Sequence, residues 1–148
     1  MRPTGGTAAP EAPSFSGRRF WRRAATRTTS LPADTSTASV ARSFVRAVLD
    51  DWRLASLEPD VSLLATELVT NGLHYGNGSR WMRLSVHGER LRIAVADNEP
   101  RRSPQRQAPS LTAEGGRGLA LIETMSDAWG TRRFRLRRGK IVWCDLKI

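Results

Sequence analysis

Polar side chains interrupt the most regular apolar helical pattern of this chain, and this feature constrains the fold more than any other. The pattern covers residues 58–76, where apolar residues recur with a period of about 3.6 and predict a helix. Glu67, Asn71 and His74 fall on one face of that helix, at i, i+4 and i+7. Burying these groups between leucines is costly unless something satisfies them. A ligand, a metal ion or a cleft would do so, and so would hydrogen bonds within the stripe or contact with water.

A separate strip on the same helix is small and polar, and it predicts the face that meets solvent. Its members are Ser62, Thr66 and Thr70. Other periodic segments predict the order strand, helix, helix, strand, strand, connection, helix, strand, strand. The predicted bounds are approximately 24–31, 34–53, 58–75, 81–87, 91–97, 119–125, 129–136 and 140–148. The first strand is expected at an edge of the sheet, and Asp34 or Thr35 is expected to cap the first helix.

Length and composition predict one folded domain. The 148 residues are 39% hydrophobic, which is enough for a core. Residues 1–16 are rich in Pro, Gly, Ala, Thr and Ser and are predicted to be a disordered tail before a domain at 17–148. The single cysteine, Cys144, excludes an internal disulfide and a cysteine metal cluster. The chain has neither an apolar leader nor a membrane-spanning apolar run, which predicts a cytoplasmic protein with no membrane association.

The charge balance is strongly basic. The formal net charge is +10, and all but two of the 24 basic residues are arginine. Such a chain can attract nucleic acids, nucleotides, acidic proteins or membrane surfaces. Because the charge is scattered and no predicted helix carries a continuous basic stripe, direct nucleic acid binding is not favoured. Aromatic residues interleaved with arginines at 15–23 keep a nucleic acid binder as a third hypothesis.

Two further features follow the polar helix. Asp97 ends a predicted strand, where its carboxylate can cap a turn or accept a hydrogen bond from a ligand in a cleft. The long polar connection at 98–114 then leads to Gly115, Gly116 and Gly118, which precede an apolar helix. Glycines at a helix start leave backbone N–H groups open to an anion. The P-loop and dinucleotide patterns do not fit, because no Gly-Lys-Ser/Thr follows and no strand directly precedes the glycines.

These features, in this order and at these separations, resemble the ATP-binding domain shared by histidine kinases, DNA gyrase and related ATPases. The resemblance covers the chain from about residue 20 to the C-terminus. The motifs similar to the asparagine box and to the first and second glycine boxes are, in order, Glu67-Leu-Val-Thr-Asn71-Gly-Leu-His74, Val95-Ala-Asp97 and Gly115-Gly-Arg-Gly118-Leu. Within that superfamily the chain resembles the single-domain anti-sigma-factor serine kinases of bacterial sporulation and stress regulation.

The resemblance implies a two-layer α/β sandwich, in which about three helices cover one face of a mixed, mostly antiparallel sheet. It also implies binding of ATP with Mg²⁺. Glu67 would be the general base, Asn71 would ligate Mg²⁺, and Asp97 would accept a hydrogen bond from the adenine amino group. The residues expected to contact the nucleotide are Asn71, His74, Asp97, Gly115, Gly116, Arg117, Gly118 and Leu119. The connection at 98–114 would be the ATP lid.

Two positions depart from the family pattern. Asp97 is followed by Asn98-Glu99-Pro100-Arg101, where relatives have glycines. Relatives also place a threonine beside adenine in the closing strand, and that place is predicted to fall at Ile141. Both departures predict weaker or altered nucleotide binding.

The leading hypothesis is an ATP-dependent serine/threonine protein kinase. It would transfer the γ-phosphate to a hydroxyl of an antagonist-type protein and hold a sigma factor or similar regulator inactive. The alternative is a non-catalytic, nucleotide-gated module that sequesters a regulatory partner. Autophosphorylation is not expected, because the phosphoacceptor helices of a histidine kinase have no counterpart here and His74 and His87 are not placed as acceptors. Relatives of this shape commonly form homodimers.

Overall fold

The chain forms two layers, a five-stranded sheet and three helices that pack on one of its faces. A computed structural model describes residues 24–75, 78–99 and 117–148. The elements are β1 (Ala25–Ser30), α1 (Thr37–Asp51), α2 (Glu58–Tyr75), β2 (Ser79–His87), β3 (Arg90–Asp97), α3 (Arg117–Met125), β4 (Ala128–Arg133) and β5 (Lys140–Lys147). The strand order is β1-β2-β3-β5-β4, with β1 at one edge. The predicted fold class is confirmed, and all the described strand pairs are antiparallel rather than mixed.

Alternate residues of the central strands supply the core. Met82 of β2 pairs with Val95 of β3, and Val95 in turn pairs with Val142 of β5. Side chains of one parity share a face of a sheet, so these residues point together toward the helices. They form one buried cluster with residues of α1 and α2, including Val45 and Leu68. Burial of each such side chain stabilises the fold by about 1.5–3 kcal/mol.

The predicted solvent face of α2 is wrong. Ser62 is buried, and its hydroxyl donates a hydrogen bond of 2.8 Å to Glu58 Oε1. The adjacent Leu63 is 41% exposed instead. A hydroxyl one turn after a glutamate can satisfy itself within the helix, so polarity alone did not identify the exposed side.

Two predicted element ends also differ from the structure. α1 begins at Thr37 with Ser36 in the capping position, and Asp34 supports the turn by accepting a hydrogen bond of 2.8 Å from the Ser36 N–H. β4 ends at Arg133 rather than at residue 136, because its pairing with β5 ends there.

Several predictions fall on residues outside the described ranges. They are the tail at 1–16, the first residues of the domain at 17–23, the end of the polar helix at 76–77, and the lid from residue 100 onward together with Gly115 and Gly116. Among the described residues, no helix is both long enough and apolar enough to cross a membrane.

Candidate functional site

The polar stripe of α2 meets the first turn of α3. A methyl group added at Gly118 would collide with Glu67 Oε2 and would lie 3.5 Å from Asn71 Oδ1. The backbone at the start of α3 therefore lies directly against both side chains. His74, farther along the stripe, is exposed. The stripe thus becomes more exposed from Asn71 toward the end of the helix, and its buried part faces α3.

Glu67 has the electrostatic environment of a proton acceptor. Its side chain is half-buried, and loss of hydration raises the pKa of its carboxyl above the usual value. In the described part of the chain, this carboxylate forms no hydrogen bond and no salt bridge. A carboxylate that is desolvated and unpaired binds a proton more readily than an ordinary surface glutamate, which suits general base chemistry.

Asn71 provides a polar group that the described residues leave unsatisfied. It is 9% exposed, and its Nδ2 atom is buried with no hydrogen-bond partner in the described part of the chain. Since most buried polar groups have a partner, an orphaned amide next to the first turn of α3 is a place where a ligand fits.

The donor set at this place also fits Mg²⁺. The amide oxygen of Asn71 is a hard oxygen donor, which Mg²⁺ prefers. In the described ranges, no cluster of three or more acidic, histidine or cysteine side chains could hold a metal ion on its own. A magnesium ion at this site would therefore be held by one or two protein oxygens together with phosphate oxygens and water, as is usual for Mg²⁺ with a nucleotide.

Asp97 is buried at the end of β3 and is held by two neighbours. It is 3% exposed; the Lys140 ammonium donates a hydrogen bond of 3.0 Å to its Oδ1, and the same nitrogen lies 2.8 Å from its Oδ2 in an ion pair. The Glu99 N–H donates a further bond of 2.9 Å to Oδ1. Burial raises the pKa of Asp97, while the Lys140 ammonium and the Glu99 N–H act in the opposite direction.

Lys140, not Ile141, is the residue of the closing strand beside Asp97. Asp97 pairs with Lys140 across β3 and β5, whereas Ile141 pairs with Ala96. Paired residues share a face, so Lys140 lies on the helix-covered face with Asp97, and Ile141 lies on the opposite face. The prediction that placed Ile141 at this position is therefore wrong.

Lys140 was missed from the sequence, although two signals were present. It is one of only two lysines in a chain rich in arginine, and it shares parity with the core residues Val142 and Cys144. A lysine on the buried side of a strand needs a partner, and it is 1% exposed here. The antiparallel register supplies that partner by setting the first residue of β5 opposite the last residue of β3.

The remaining predicted residues lie at the start of α3. α3 begins at Arg117; Gly118 is buried against α2, and Leu119 is 3% exposed. Gly115 and Gly116 lie outside the described residues, so the predicted phosphate contacts at those two positions stay predictions.

A group of exposed arginines lies where β4 leads into β5. Two are the last residues of β4 and three belong to the connection that follows: Arg132, Arg133, Arg135, Arg137 and Arg138. In the described part of the chain, none of them forms a salt bridge. All of these arginines except Arg138 line a cavity of about 560 Å³, together with the apolar side chains of Phe134, Leu136 and Ile141. Arg137 stacks on Phe134 with 4.6 Å between the guanidinium carbon and the ring centre.

Comparison with known proteins adds one match. The sequence profile described as "Histidine kinase-like ATPase domain" matches residues 31–144, which include every described element except β1 and the end of β5. A search of curated proteins found no match.

Proposed function

Because the chain belongs to the histidine kinase-like ATPase domain family, we propose that it is an ATP-binding regulatory serine/threonine protein kinase of the cytoplasm. Membership of the family points to ATP binding and to a regulatory role. The observation that supports the finer proposal is the meeting of Glu67, Asn71 and Gly118 where α2 contacts α3. α2 also packs against β3, the strand that ends at Asp97.

In the proposed complex, different residues of the chain bind different parts of the nucleotide. Asp97 accepts a hydrogen bond from the exocyclic amino group of adenine. Asn71 would supply its side-chain oxygen to Mg²⁺, and N–H groups at the start of α3 would donate to phosphate oxygens. When bound, Mg²⁺ would neutralise charge that develops on the phosphate oxygens.

The proposed reaction moves the γ-phosphoryl group from ATP to a hydroxyl of a serine or threonine. A bond forms between the acceptor oxygen and the γ-phosphorus, while the bond from that phosphorus to the β–γ bridging oxygen breaks. Glu67 takes the proton of the hydroxyl, and ADP leaves with the electron pair of the broken bond. The raised pKa of Glu67 matches this role, since a better proton acceptor assists more in the transfer.

The proposed acceptor is an antagonist-type regulatory protein, and the proposed target of control is a sigma factor or similar regulator. Binding of the regulator would hold it inactive, and phosphorylation of the antagonist would prevent that protein from competing. A homodimer is also proposed. These partner assignments are supported by the resemblance of the motifs to the anti-sigma-factor kinases.

The first test is calorimetric titration with ATP and Mg²⁺. Wild type should bind saturably, Asp97→Ala should lose binding, and Asn71→Ala should retain weakened binding whose dependence on Mg²⁺ is reduced. Asp50→Asn changes an exposed carboxylate on α1 and serves as the matched control that should bind as wild type does. Absence of ATP binding by folded wild type would overturn the proposal.

The second test separates transfer from binding. Incubation of wild type with γ-labelled ATP and a dialysed extract of the source cells should place label on serine or threonine. Glu67→Gln should bind Mg²⁺-ADP normally but reduce labelling at least about 100-fold, because loss of a general base costs 10²–10⁴ in rate. Equal labelling by Glu67→Gln would remove Glu67 from the mechanism. Nucleotide binding with no labelled protein would favour the alternative, a nucleotide-gated module that captures its partner unmodified.

A further inference from the structure

The ion pair between Lys140 and Asp97 is the most deeply buried charged contact among the described residues. Their side chains are 2% and 5% exposed, whereas at least one partner is 47% or more exposed in every other described salt bridge. Moving two charges out of water costs several kcal/mol per ion, so a pair retained at a candidate ligand site calls for a functional explanation. The proposed function uses Asp97 but leaves Lys140 without a role.

The ammonium of Lys140 is held by groups of the protein. It donates hydrogen bonds to Asp97 Oδ1, at 3.0 Å, and to the Glu99 carbonyl, at 2.7 Å, and its nitrogen lies 2.8 Å from Asp97 Oδ2. Lys140 is therefore placed to influence binding of a nucleotide's purine base through Asp97 rather than by touching the base itself.

The same bonds leave Asp97 with limited acceptor capacity. A carboxylate has about four lone-pair positions. Oδ1 receives the Glu99 N–H and the Lys140 ammonium, so it is filled. Oδ2 lies 2.8 Å from the Lys140 nitrogen, and no described residue donates a hydrogen bond to it. Acceptor capacity for a ligand therefore remains on one oxygen only.

A single open carboxylate oxygen distinguishes the two purines. Adenine presents a single kind of donor on this edge, its exocyclic amino group, and one N–H can reach Oδ2. Guanine presents two adjacent donors, N1–H and the exocyclic amino group, and a carboxylate pairs with both only when both of its oxygens are open. With Oδ1 filled, a guanine donor would be buried unpaired, which is costly.

We propose that Lys140 is the positioning residue that makes Asp97 selective for adenine, by filling Oδ1 and orienting Oδ2. Lys140 also binds the carbonyl of Glu99, whose N–H is bonded to Asp97, and so fixes the first residues of the connection after β3 where relatives have glycines. This inference rests on the proposed nucleotide site.

The test compares the affinities of Mg²⁺-ADP and Mg²⁺-GDP for wild type, Lys140→Met and Lys140→Arg. The titrations are run at pH 8.5 so that Asp97 stays ionised. Wild type should prefer ADP by at least about tenfold, the value expected for one unpaired donor. Lys140→Met is uncharged and similar in length, so it should reduce this ratio at least about tenfold by opening Oδ1. Lys140→Arg keeps a donor for both oxygens and should retain the preference.

The outcomes separate this inference from the proposed function. If wild type binds neither nucleotide, the nucleotide site itself fails. If wild type binds ADP and folded Lys140→Met keeps the wild-type ratio of ADP to GDP affinity, the role of Lys140 fails alone. A reduced ADP affinity with an unchanged ratio likewise counts against it, because that is the result of a merely structural pair.

A measurement on wild type covers the case in which Lys140→Met does not fold. The chain has only two lysines, so ¹⁵N-lysine labelling gives two side-chain signals, from Lys140 and from the exposed Lys147 at the far end of β5. The Lys140 ammonium signal should be protected from solvent exchange and should shift on saturation with Mg²⁺-ADP, while the Lys147 signal stays in place. An unmoved Lys140 signal at saturation would overturn the inference.

Discussion

The close contact between Gly118 and Glu67 limits where the carboxylate of the proposed general base can lie. A side chain at residue 118 would occupy the space of the Glu67 carboxylate, so glycine is favoured here by proximity rather than by backbone conformation. The atom displaced would be the end of a flexible side chain. A substitution at Gly118 should therefore alter chemistry more than stability.

Gly118→Ala should reduce phosphoryl transfer about 100-fold, because a misplacement of about 1 Å in a catalytic group has an effect of that size. Binding of Mg²⁺-ADP should weaken much less, since Asp97 is unaffected. Transfer rate and nucleotide affinity, measured side by side, check this split. Ala120→Gly, at an exposed position of α3, is the control for general effects on the helix. Wild-type transfer by Gly118→Ala would show that the position of Glu67 does not limit the reaction.

At the scale of elements, α2 is locked to the start of β2. Ser79 Oγ donates a hydrogen bond of 3.3 Å to the carbonyl of Val69, and the Gly78 N–H donates one of 2.9 Å to the carbonyl of Gly72. A methyl group at Gly72 would collide with Ser79 Oγ. These contacts fix the position of α2 along its axis relative to the sheet, and thereby the positions of Glu67 and Asn71.

Gly72→Ala should destabilise the fold by about 1–2 kcal/mol, since overpacking costs about 1–3 kcal/mol and the gain in helix propensity offsets up to about 1 kcal/mol. Removal of the obstructing hydroxyl in Gly72→Ala/Ser79→Ala should recover most of that loss. Urea denaturation of wild type, the two single variants and the double variant gives the coupling energy. If the stability changes of Gly72→Ala and Ser79→Ala simply add in the double variant, the methyl group at residue 72 does not collide with the Ser79 hydroxyl.

At the scale of the whole molecule, the central strand β3 joins both halves of the sheet. It pairs with β2 on one side and with β5 on the other, so the helical layer and the sheet share one core. Cys144 lies in β5 with no exposed surface. Burial raises the pKa of its thiol to about 12, from an ordinary value of 9.0. The thiol reports on opening of the core, because the thiolate is the reactive form.

The stability of the fold should fall in alkaline solution because of Cys144. The unfolded thiol ionises near pH 9.0 and the folded thiol near pH 12, so its stabilising effect is complete below pH 9 and is lost between these values. The expected loss relative to Cys144→Ala is about 1.4 kcal/mol at pH 10. Urea denaturation of both proteins at pH 7 and pH 10 measures this difference. Parallel pH dependence of the two proteins would contradict the assignment, as would alkylation of native Cys144 at pH 8 as rapid as that of the unfolded chain.

The sequence alone determined the element order, the hairpin of β2 and β3, and the polar stripe of α2, because these follow from local periodicity and turn residues. Motif order also predicted the family to which the chain belongs. Which side of α2 is buried could not be read from polarity, since Ser62 satisfies its hydroxyl within the helix. Nor did spacing show that Gly118 touches Glu67.

Only the tertiary structure decided what surrounds Asp97. Lys140 lies 43 residues away in sequence, and the contact arises from the register in which β5 joins β3. A shift of one residue in that register would bring Ile141 opposite Asp97 and turn the lysine to the other face. Register depends on the packing of all five strands against the helices, so the partner that controls this carboxylate is a property of the assembled sheet rather than of any local segment.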